Sequence, residues 1–366
     1  MIKNCYIHIP FCKNICTYCD FCKMYYNKKM LSKYLDALEK EVKSLYKGEL
    51  LETIYIGGGT PNSLDIDELE RLFHIINYLN KIKDIEFTFE GNIDCFTKEK
   101  LILLKKYGVN RLSIGIESIN KKNLKYLGRS LDKNKIIETI KLMRELGFSN
   151  INVDLIYAIP SETINELKED ISFILSLDIE HISTYSLMIE DNTMLKINGE
   201  VNISDDLDYL MYKEICSILK DNNYIHYEIS NFSKNNYFSK HNLCYWNNRE
   251  YYGFGLGASS YIGNKRIMNT RSFSKYIDGN YIKEIENVMN KEIMEYQIIL
   301  NLRKKEGISL IEFRELFGKE LINCYDYTNL VNDGLLCLRD KYLFIDEDKW
   351  YISNEIIVRL LGCEVL

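Results

Sequence analysis

The chain is short of several things. Only three of its 366 residues are proline, against an abundance of Lys, Ile, Asn and Tyr. That bias reads as background composition and carries no functional signal. No run approaches the roughly 18 consecutive apolar residues of a membrane-crossing helix, so no span is expected. The N-terminus lacks the basic-then-apolar pattern of a secretory signal, because Cys12 interrupts it almost at once. The expected compartment is therefore the cytoplasm. Positive charge is not in excess either: 47 Lys and Arg stand against 53 Asp and Glu, a net charge of −6. A basic nucleic-acid platform is excluded, and no nucleic-acid partner is expected. Internal repeats and low-complexity segments are absent.

What is present begins with cysteine. The 11 cysteines are an odd, scattered set, which does not make a disulfide framework in a reducing compartment. Most read as small buried apolar residues. The exception is Cys12-Lys-Asn-Ile-Cys16-Thr-Tyr-Cys19, a C-x3-C-x2-C triplet directly after the apolar run Cys5–Phe11. Three thiolates at that spacing can hold three corners of a [4Fe–4S] cubane and leave the fourth iron open for chemistry. Structural zinc or three packed cysteines are the alternatives. Zinc usually draws on paired C-x2-C or C/H motifs, and only Cys22 lies near enough to be a fourth ligand.

At 46% hydrophobic residues the chain is long enough for a large core and a smaller second unit. Strand-like apolar runs fall at 6–9, 53–56, 85–89, 111–116, 151–156 and 182–187. Helical periodicity fills 31–46, 65–79, 97–106, 134–146, 163–177 and 206–222. In the first helix Leu35, Leu38, Val42 and Leu45 make one face. Six β/α units in series imply a parallel sheet covered on both faces. They are too few for a closed eight-fold barrel and suit an open (β/α)6 barrel. The fold class is thus α/β, a partial barrel with a smaller C-terminal α+β unit. Residues 1–230 form the expected barrel, with a further strand at 225–229. Residues 231–290, rich in Asn, Tyr, Gly and Ser, read as an irregular segment covering the barrel. Residues 291–366 read as helices followed by a hairpin, a winged-helix pattern that suits a lid over the barrel mouth or a partner surface.

In such barrels function gathers at the C-terminal ends of the strands. The cysteine loop follows the first strand and Gly57-Gly-Gly-Thr-Pro61 the second. Glycines let a backbone approach a ligand closely, although a tight turn alone would also explain them. Glu90, Glu117 and Asp154 end later strands, and Arg129 lies nearby. Singly, each reads as a cap or a surface charge. Together they can accept from ribose hydroxyls and an amine and supply a cation for a carboxylate. His241-Asn-Leu-Cys-Tyr-Trp246 stands apart: its histidine is a candidate haem ligand or an ordinary hydrogen-bonded residue, with Tyr245 and Trp246 able to stack on a flat ring.

These residues resemble the radical S-adenosylmethionine (SAM) superfamily, and within it the oxygen-independent coproporphyrinogen III oxidase-like group. The resemblance spans nearly the whole chain. It is carried by Tyr6-Ile-His-Ile-Pro-Phe-Cys12, Tyr55-Ile-Gly-Gly-Gly-Thr-Pro61, Asn110-Arg-Leu-Ser-Ile-Gly115, Leu127-Gly-Arg129 and Asp154-Leu-Ile-Tyr157. Tyr227-Glu-Ile-Ser-Asn-Phe232 and the His241 motif extend it. It implies a [4Fe–4S] cluster on Cys12, Cys16 and Cys19, with SAM chelating the open iron. Tyr6 would lie beside both, and Gly58, Gly59 and Thr60 would contact the methionine part. Glu90, Glu117, Arg129 and Asp154 match positions of the SAM pocket, and backbone near Met188 would meet the adenosine. An electron from the reduced cluster would cleave SAM to methionine and a 5′-deoxyadenosyl radical.

Two branches of the group differ just after the triplet. The oxidases carry a further cysteine two residues on, where this chain has Phe21, with Cys22 one step later. Asp20-Phe21 and the His241 motif match the haem-chaperone branch, in which that motif is implicated in haem binding. The resemblance thus implies haem as a second ligand, with His241 its candidate residue, and a membrane-bound haemoprotein as acceptor. It also implies a reductant such as flavodoxin or ferredoxin. The alternative is a radical enzyme that abstracts hydrogen from a tetrapyrrole or another substrate. Two departures stand out: Glu117 replaces the family's usual Gln, and Ile93 replaces a proline.

Overall fold

The computed structural model describes residues 1–365. Strand β1 (Asn4–Ile9) leads into two-residue strands β2 (Phe11–Cys12) and β3 (Met24–Tyr25), which pair with each other and so staple both ends of the cysteine loop. Then come α1 (Lys28–Leu45), β4 (Leu51–Gly58), α2 (Ile66–Ile76), β5 (Lys81–Asn92) and α3 (Lys98–Lys106). They are followed by β6 (Arg111–Glu117), α4 (Lys121–Tyr126), α5 (Lys133–Glu145), β7 (Ile151–Tyr157), α6 (Ile164–Ser176), β8 (His181–Ser186), α7 (Met194–Ile197) and α8 (Asp205–Asp221). The helices start where side chains satisfy free backbone N–H groups: Asn27 caps α1, and Asp65 with Glu68 and Thr163 with Glu166 form capping boxes on α2 and α6.

Strands β1, β4, β5, β6, β7 and β8 run side by side, all parallel. These are the six expected strands. Their outward side chains pack under the helices. On α1, Leu31, Leu35, Leu38 and Val42 are buried, each stabilising the fold by roughly 1.5–3 kcal/mol. Leu45, expected on the same face, is exposed at the helix end. The inward side chains are polar. The Glu90 charge on β5 is among the causes that raise the Tyr185 pKa on β8, after burial.

The stretch 231–290 departs from the irregular segment expected of it. After β9 (Ile225–Glu228) come β10 (Asn231–Ser233), α9 (Lys240–Trp246), β11 (Tyr251–Phe254), β12 (Ser259–Ile262), β13 (Lys265–Asn269), α10 (Phe273–Ile277) and β14 (Ile282–Asn287). Strand β11 pairs in parallel with β1, and β12, β13 and β14 continue outward as an antiparallel meander. Beyond β8, β10 and β9 add two antiparallel strands, making a twelve-stranded sheet. Glu41 of α1 anchors the added strands: its buried carboxylate accepts from Gly255 N–H (2.8 Å), Asn269 Nδ2 (2.6 Å) and Tyr276 OH (2.6 Å).

The C-terminal part has its own core around Ile298, Phe313, Leu343, Trp350 and Leu360. Its order is α11 (Asn290–Asn301), β15 (Ile308–Ser309), α12 (Leu310–Phe317), α13 (Thr328–Asn332), the hairpin β16 (Cys337–Arg339) and β17 (Tyr342–Phe344), and α14 (Ser353–Leu361). The three strands form one small sheet, in keeping with the winged-helix pattern. Its hydrogen bonds to the barrel reach Tyr227 and Ile229 at edge strand β9, Trp246 and Asn247 at the end of α9, and Asp205 of α8. It thus covers a sheet edge and the base of the barrel; of the two roles expected of it, a lid over the barrel mouth or a partner surface, these contacts do not form the lid. Among the described residues no helix is long and apolar enough to cross a membrane.

Candidate functional site

The cysteine loop sits at the C-terminal end of β1, beside the glycine turn that ends β4. Cys12 is buried and Cys16 and Cys19 are half-buried; all three are free thiols. The glycines here make room for side chains of the site. A Cβ on Gly57 would lie 2.6 Å from the Glu90 carboxylate, and one on Gly59 would lie 2.8 Å from Cys12 Sγ. Gly58, at φ +116°, would drive a Cβ into the His8 ring. The N–H groups of this turn are engaged: Gly58 donates to Glu90 Oε2 (3.0 Å), Gly59 to Ile9 O (2.8 Å) and Thr60 to Phe11 O (2.9 Å). Any direct backbone contact from these residues to a ligand must come through carbonyl oxygen, which suits an ammonium.

Three carboxylates lie under this rim, Glu117 buried and Glu90 and Asp154 half-buried. Glu90 accepts from Tyr55 OH at 2.5 Å, and burial pushes its pKa up to about 7. Asp154 accepts from Asn152 Nδ2 at 2.8 Å and is also shifted upward by burial. Glu117 ends β6 in the left-handed region at φ 59°, after a register shift that folds its side chain back over Gly115. It accepts from Tyr18 OH (3.2 Å) and lies 2.9 Å from Arg129 Nε. Burial raises its pKa to about 7, and the Arg129 charge opposes that rise.

Arg129 was expected to supply a free cation. Instead it is spent inside the site. Its Nη2 donates to Asn92 Oδ1 (3.1 Å) and Gly115 O (2.8 Å), its Nη1 reaches Cys16 Sγ at 3.7 Å, and its Nε faces Glu117. One guanidinium therefore ties the cysteine loop to the ends of β5 and β6. Tyr6 is half-buried on β1, its hydroxyl 3.0 Å from His8 Nδ1. Met188 is exposed just beyond β8. The site residues Cys12, Cys16, Cys19, Tyr6, Gly58, Gly59, Thr60, Glu90, Glu117, Arg129, Asp154 and Met188 thus gather at one end of the strands.

His241 does not join them. Its ring Nδ1 is 2.7 Å from Thr53 Oγ1 and its Nε2 is 2.8 Å from Tyr245 OH, so both nitrogens are taken. The ring stacks on Tyr55 at 5.2 Å, and the backbone N–H donates to Glu86. Burial holds its pKa down at about 3. Thr53 lies five residues before Gly58 on β4, so His241 plugs the opposite end of the barrel, about 16 Å from the mouth. In this conformation haem coordination at His241 would have to break a satisfied buried pair.

Cys22 has a structural occupation too. It is buried against Gly257, and its carbonyl pairs with His8 Nε2 at 2.7 Å. Phe21 is 63% exposed. Sequence reasoning passed over the supports: Tyr55, Asn92, Asn152 and Arg111. Arg111 is 2% exposed, and its Nε has no partner among the described residues. Tyr55 and Arg111 stand two residues before Gly57 and Ser113 on the same inward face, so strand alternation could have found them.

The three thiols fit an iron–sulfur cubane. Cubane thiolates each hold a separate iron and stand apart on the loop. Burial pushes the Cys12 thiol up to about 11, eased by the Thr60 hydroxyl, and a bound metal would favour its thiolate.

Comparison with known proteins agrees with this geometry. Residues 6–174 match the model of the radical SAM superfamily, and residues 288–348 match that of the HemN C-terminal domain. The heme chaperone HemW of Bacillus subtilis (strain 168) is 37% identical across 99% of this chain and 100% of its own length. HemW of Lactococcus lactis subsp. lactis (strain IL1403) is 34% identical across 98% and 97%. The mitochondrial radical S-adenosyl methionine domain-containing protein 1 of Danio rerio is 28% identical across 86% of this chain and 76% of its own. Among solved structures, coproporphyrinogen III oxidase (HemN) from Escherichia coli has a TM-score of 0.85 at 20% identity, covering 98% of this chain and 89% of that one, which shows a shared fold.

Proposed function

Since the chain belongs to the radical SAM superfamily and, within it, to the family of the heme chaperone HemW, we propose that it is a haem-trafficking protein whose barrel mouth holds a [4Fe–4S] cluster and SAM. The single observation that carries the cofactor site is the convergence of Cys12, Cys16 and Cys19 with the glycine turn, Glu90 and Arg129 at one end of the strands. Haem rests on the relatives, which are named as heme chaperones along their full length.

In this reading Cys12, Cys16 and Cys19 hold three irons, and Arg129 keeps positive charge beside Cys16. When bound, cluster and SAM together supply one-electron reductive chemistry. The chain's own residues bind and orient. Carbonyls of the glycine turn receive an ammonium, while Asp154 and Glu117 accept from hydroxyls. Backbone near Met188 meets the base, and Tyr6 closes the side of the site. Arg129 reaches a ligand carboxylate only by exchanging it for Glu117. The SAM site then serves as a gate on haem transfer and not as a centre of repeated turnover. Phe21, in place of a further cysteine, favours delivery over decarboxylation.

The remaining parts of the reading are a one-electron reductant of the flavodoxin or ferredoxin class and a membrane-bound haemoprotein acceptor. The protein works in the cytoplasm, which its eleven free cysteines support. We assign the barrel to residues 1–230, the covering segment to 231–290 and the winged-helix unit to 291–366.

The test is the protein reconstituted anaerobically with iron and sulfide, then titrated with SAM and with haem by absorption. We expect a cluster that SAM perturbs and a saturable haem spectrum. No saturable haem binding ends the chaperone reading. Stoichiometric 5′-deoxyadenosine formed with conversion of a tetrapyrrole would replace it with a radical enzyme.

A further inference from the structure

A second recess lies at the opposite end of the strands. It is a cleft of about 1130 Å³ between the first residues of β1 and β4, helix α9, the β12–β13 turn, α11 and the end of α12. Cavities that bury whole organic ligands run to about 300–1,000 Å³, so this one is large enough for a flat macrocycle. Helix α9 forms one wall and has two faces. His241 and Tyr245 point into the barrel base, where their polar atoms are satisfied. Lys240, Leu243, Cys244 and Asn247, spaced i, i+3, i+4 and i+7, line the cleft.

The lining is amphipathic. Leu243 of α9 at the barrel base, with Ile293 and Met294 of α11 and Phe317 of α12 in the C-terminal unit, gives apolar surface. The charges are biased positive although the whole chain carries −6. Lys3 is paired with Glu52 at 2.6 Å, and Arg249 is paired with Glu312. Lys240 of α9 and Lys319, just after α12, both line the cleft, and among the described residues neither enters an ion pair. Two unpaired ammonium groups beside an apolar wall complement a ligand with an apolar body and two anionic arms.

We propose that this cleft is the tetrapyrrole site of the protein. It takes a porphyrin dicarboxylate whose ring lies on Leu243, Ile293, Met294 and Phe317 and whose carboxylates meet Lys240 and Lys319. The inference rests on the haem-handling reading above and moves the ligand from His241 itself to the cleft face of α9.

The experiment titrates the full-length reconstituted protein with iron protoporphyrin IX, and with its dimethyl ester, in which both carboxylates are masked. The variants are Lys240→Glu, Lys319→Glu, the double variant, and Met294→Trp to fill the cleft. Retention of the cluster chromophore shows that each variant is folded. Each charge reversal should weaken binding of the free acid about tenfold, and the pair about a hundredfold. The diester should bind weakly to every form, and Met294→Trp should weaken both porphyrins. If wild type binds the free acid saturably and the double variant and Met294→Trp bind it equally well, the cleft is overturned while haem handling stands. If wild type binds neither porphyrin, both readings fall together.

Discussion

Glu117→Gln puts two opposed effects at the site into direct competition. Burial raises the Glu117 pKa to about 7, while the Arg129 guanidinium 2.9 Å away favours the ionised form. A carboxyl raised in the folded state binds its proton more tightly there than in the unfolded chain, where it titrates near 4.5. Its contribution is therefore fully present below the unfolded value and is lost as pH rises through the folded value. Between pH 5.5 and 8.5 a shift of that size removes about 2 kcal/mol from wild type. Glutamine does not titrate, so Glu117→Gln lacks this loss. Other carboxyls such as Glu90 and Glu228 are shifted the same way in both proteins and cancel in the comparison. The assay is urea unfolding of the apoprotein at several pH values. The variant should gain about 2 kcal/mol on wild type as pH rises across that window. A difference that stays flat would show that Arg129 holds Glu117 ionised throughout, and the claim that burial outweighs the ion pair would be refuted. The same variant frees Arg129, so SAM should bind several-fold more tightly at pH 8.5 by equilibrium dialysis.

Three further outcomes follow from named contacts. Gly59→Ala places a methyl 2.8 Å from Cys12 Sγ and 2.9 Å from the Pro10 carbonyl carbon, so iron content after reconstitution should fall several-fold. Cys22→Ser should keep a full cluster by iron and sulfide analysis, because only its carbonyl is used and its thiol packs on Gly257, whereas Cys16→Ser should lose it. His241→Ala leaves the Tyr245 hydroxyl without its partner, while the Thr53 hydroxyl keeps Asn4 Oδ1, and should cost about 1–3 kcal/mol in urea unfolding. Its haem affinity, measured well below the transition, should change less than threefold; a larger loss would restore His241 as a ligand.

The six parallel strands were legible because their helix-facing residues are apolar at every second position, and Ile54, Ile56, Phe87 and Phe89 carry that signal locally. The glycine turn and the cysteine spacing were legible for the same reason: their chemistry lies within a few residues. Strand β14 was not, since every residue of it is exposed and no burial pattern marks it. Strand β11 is only four residues long, in an Asn- and Gly-rich neighbourhood, and its partner is β1, at the other end of the chain. The role of His241 was hidden in the same way. Thr53 and Glu86 decide it, and they lie 188 and 155 residues away. Arg129 shows the limit most directly. A positive charge near strand ends is readable, but its commitment to Glu117, Asn92 and Gly115 is a property of the folded register.

The pairing of Asn4 with Tyr251 also governs the order of events at the ribosome. The strand that leads into the cluster loop is made first, and one of its two neighbours is among the last parts of the sheet to be made. At about 5–20 residues per second, the open edge of β1 waits on the order of 10–50 s for β11 to be synthesised. During that interval an unpaired strand edge and three unmetallated thiols are exposed together, a state open to misassembly. Slowing translation between residues 60 and 250 should therefore raise the aggregated fraction before it changes the stability of the completed fold.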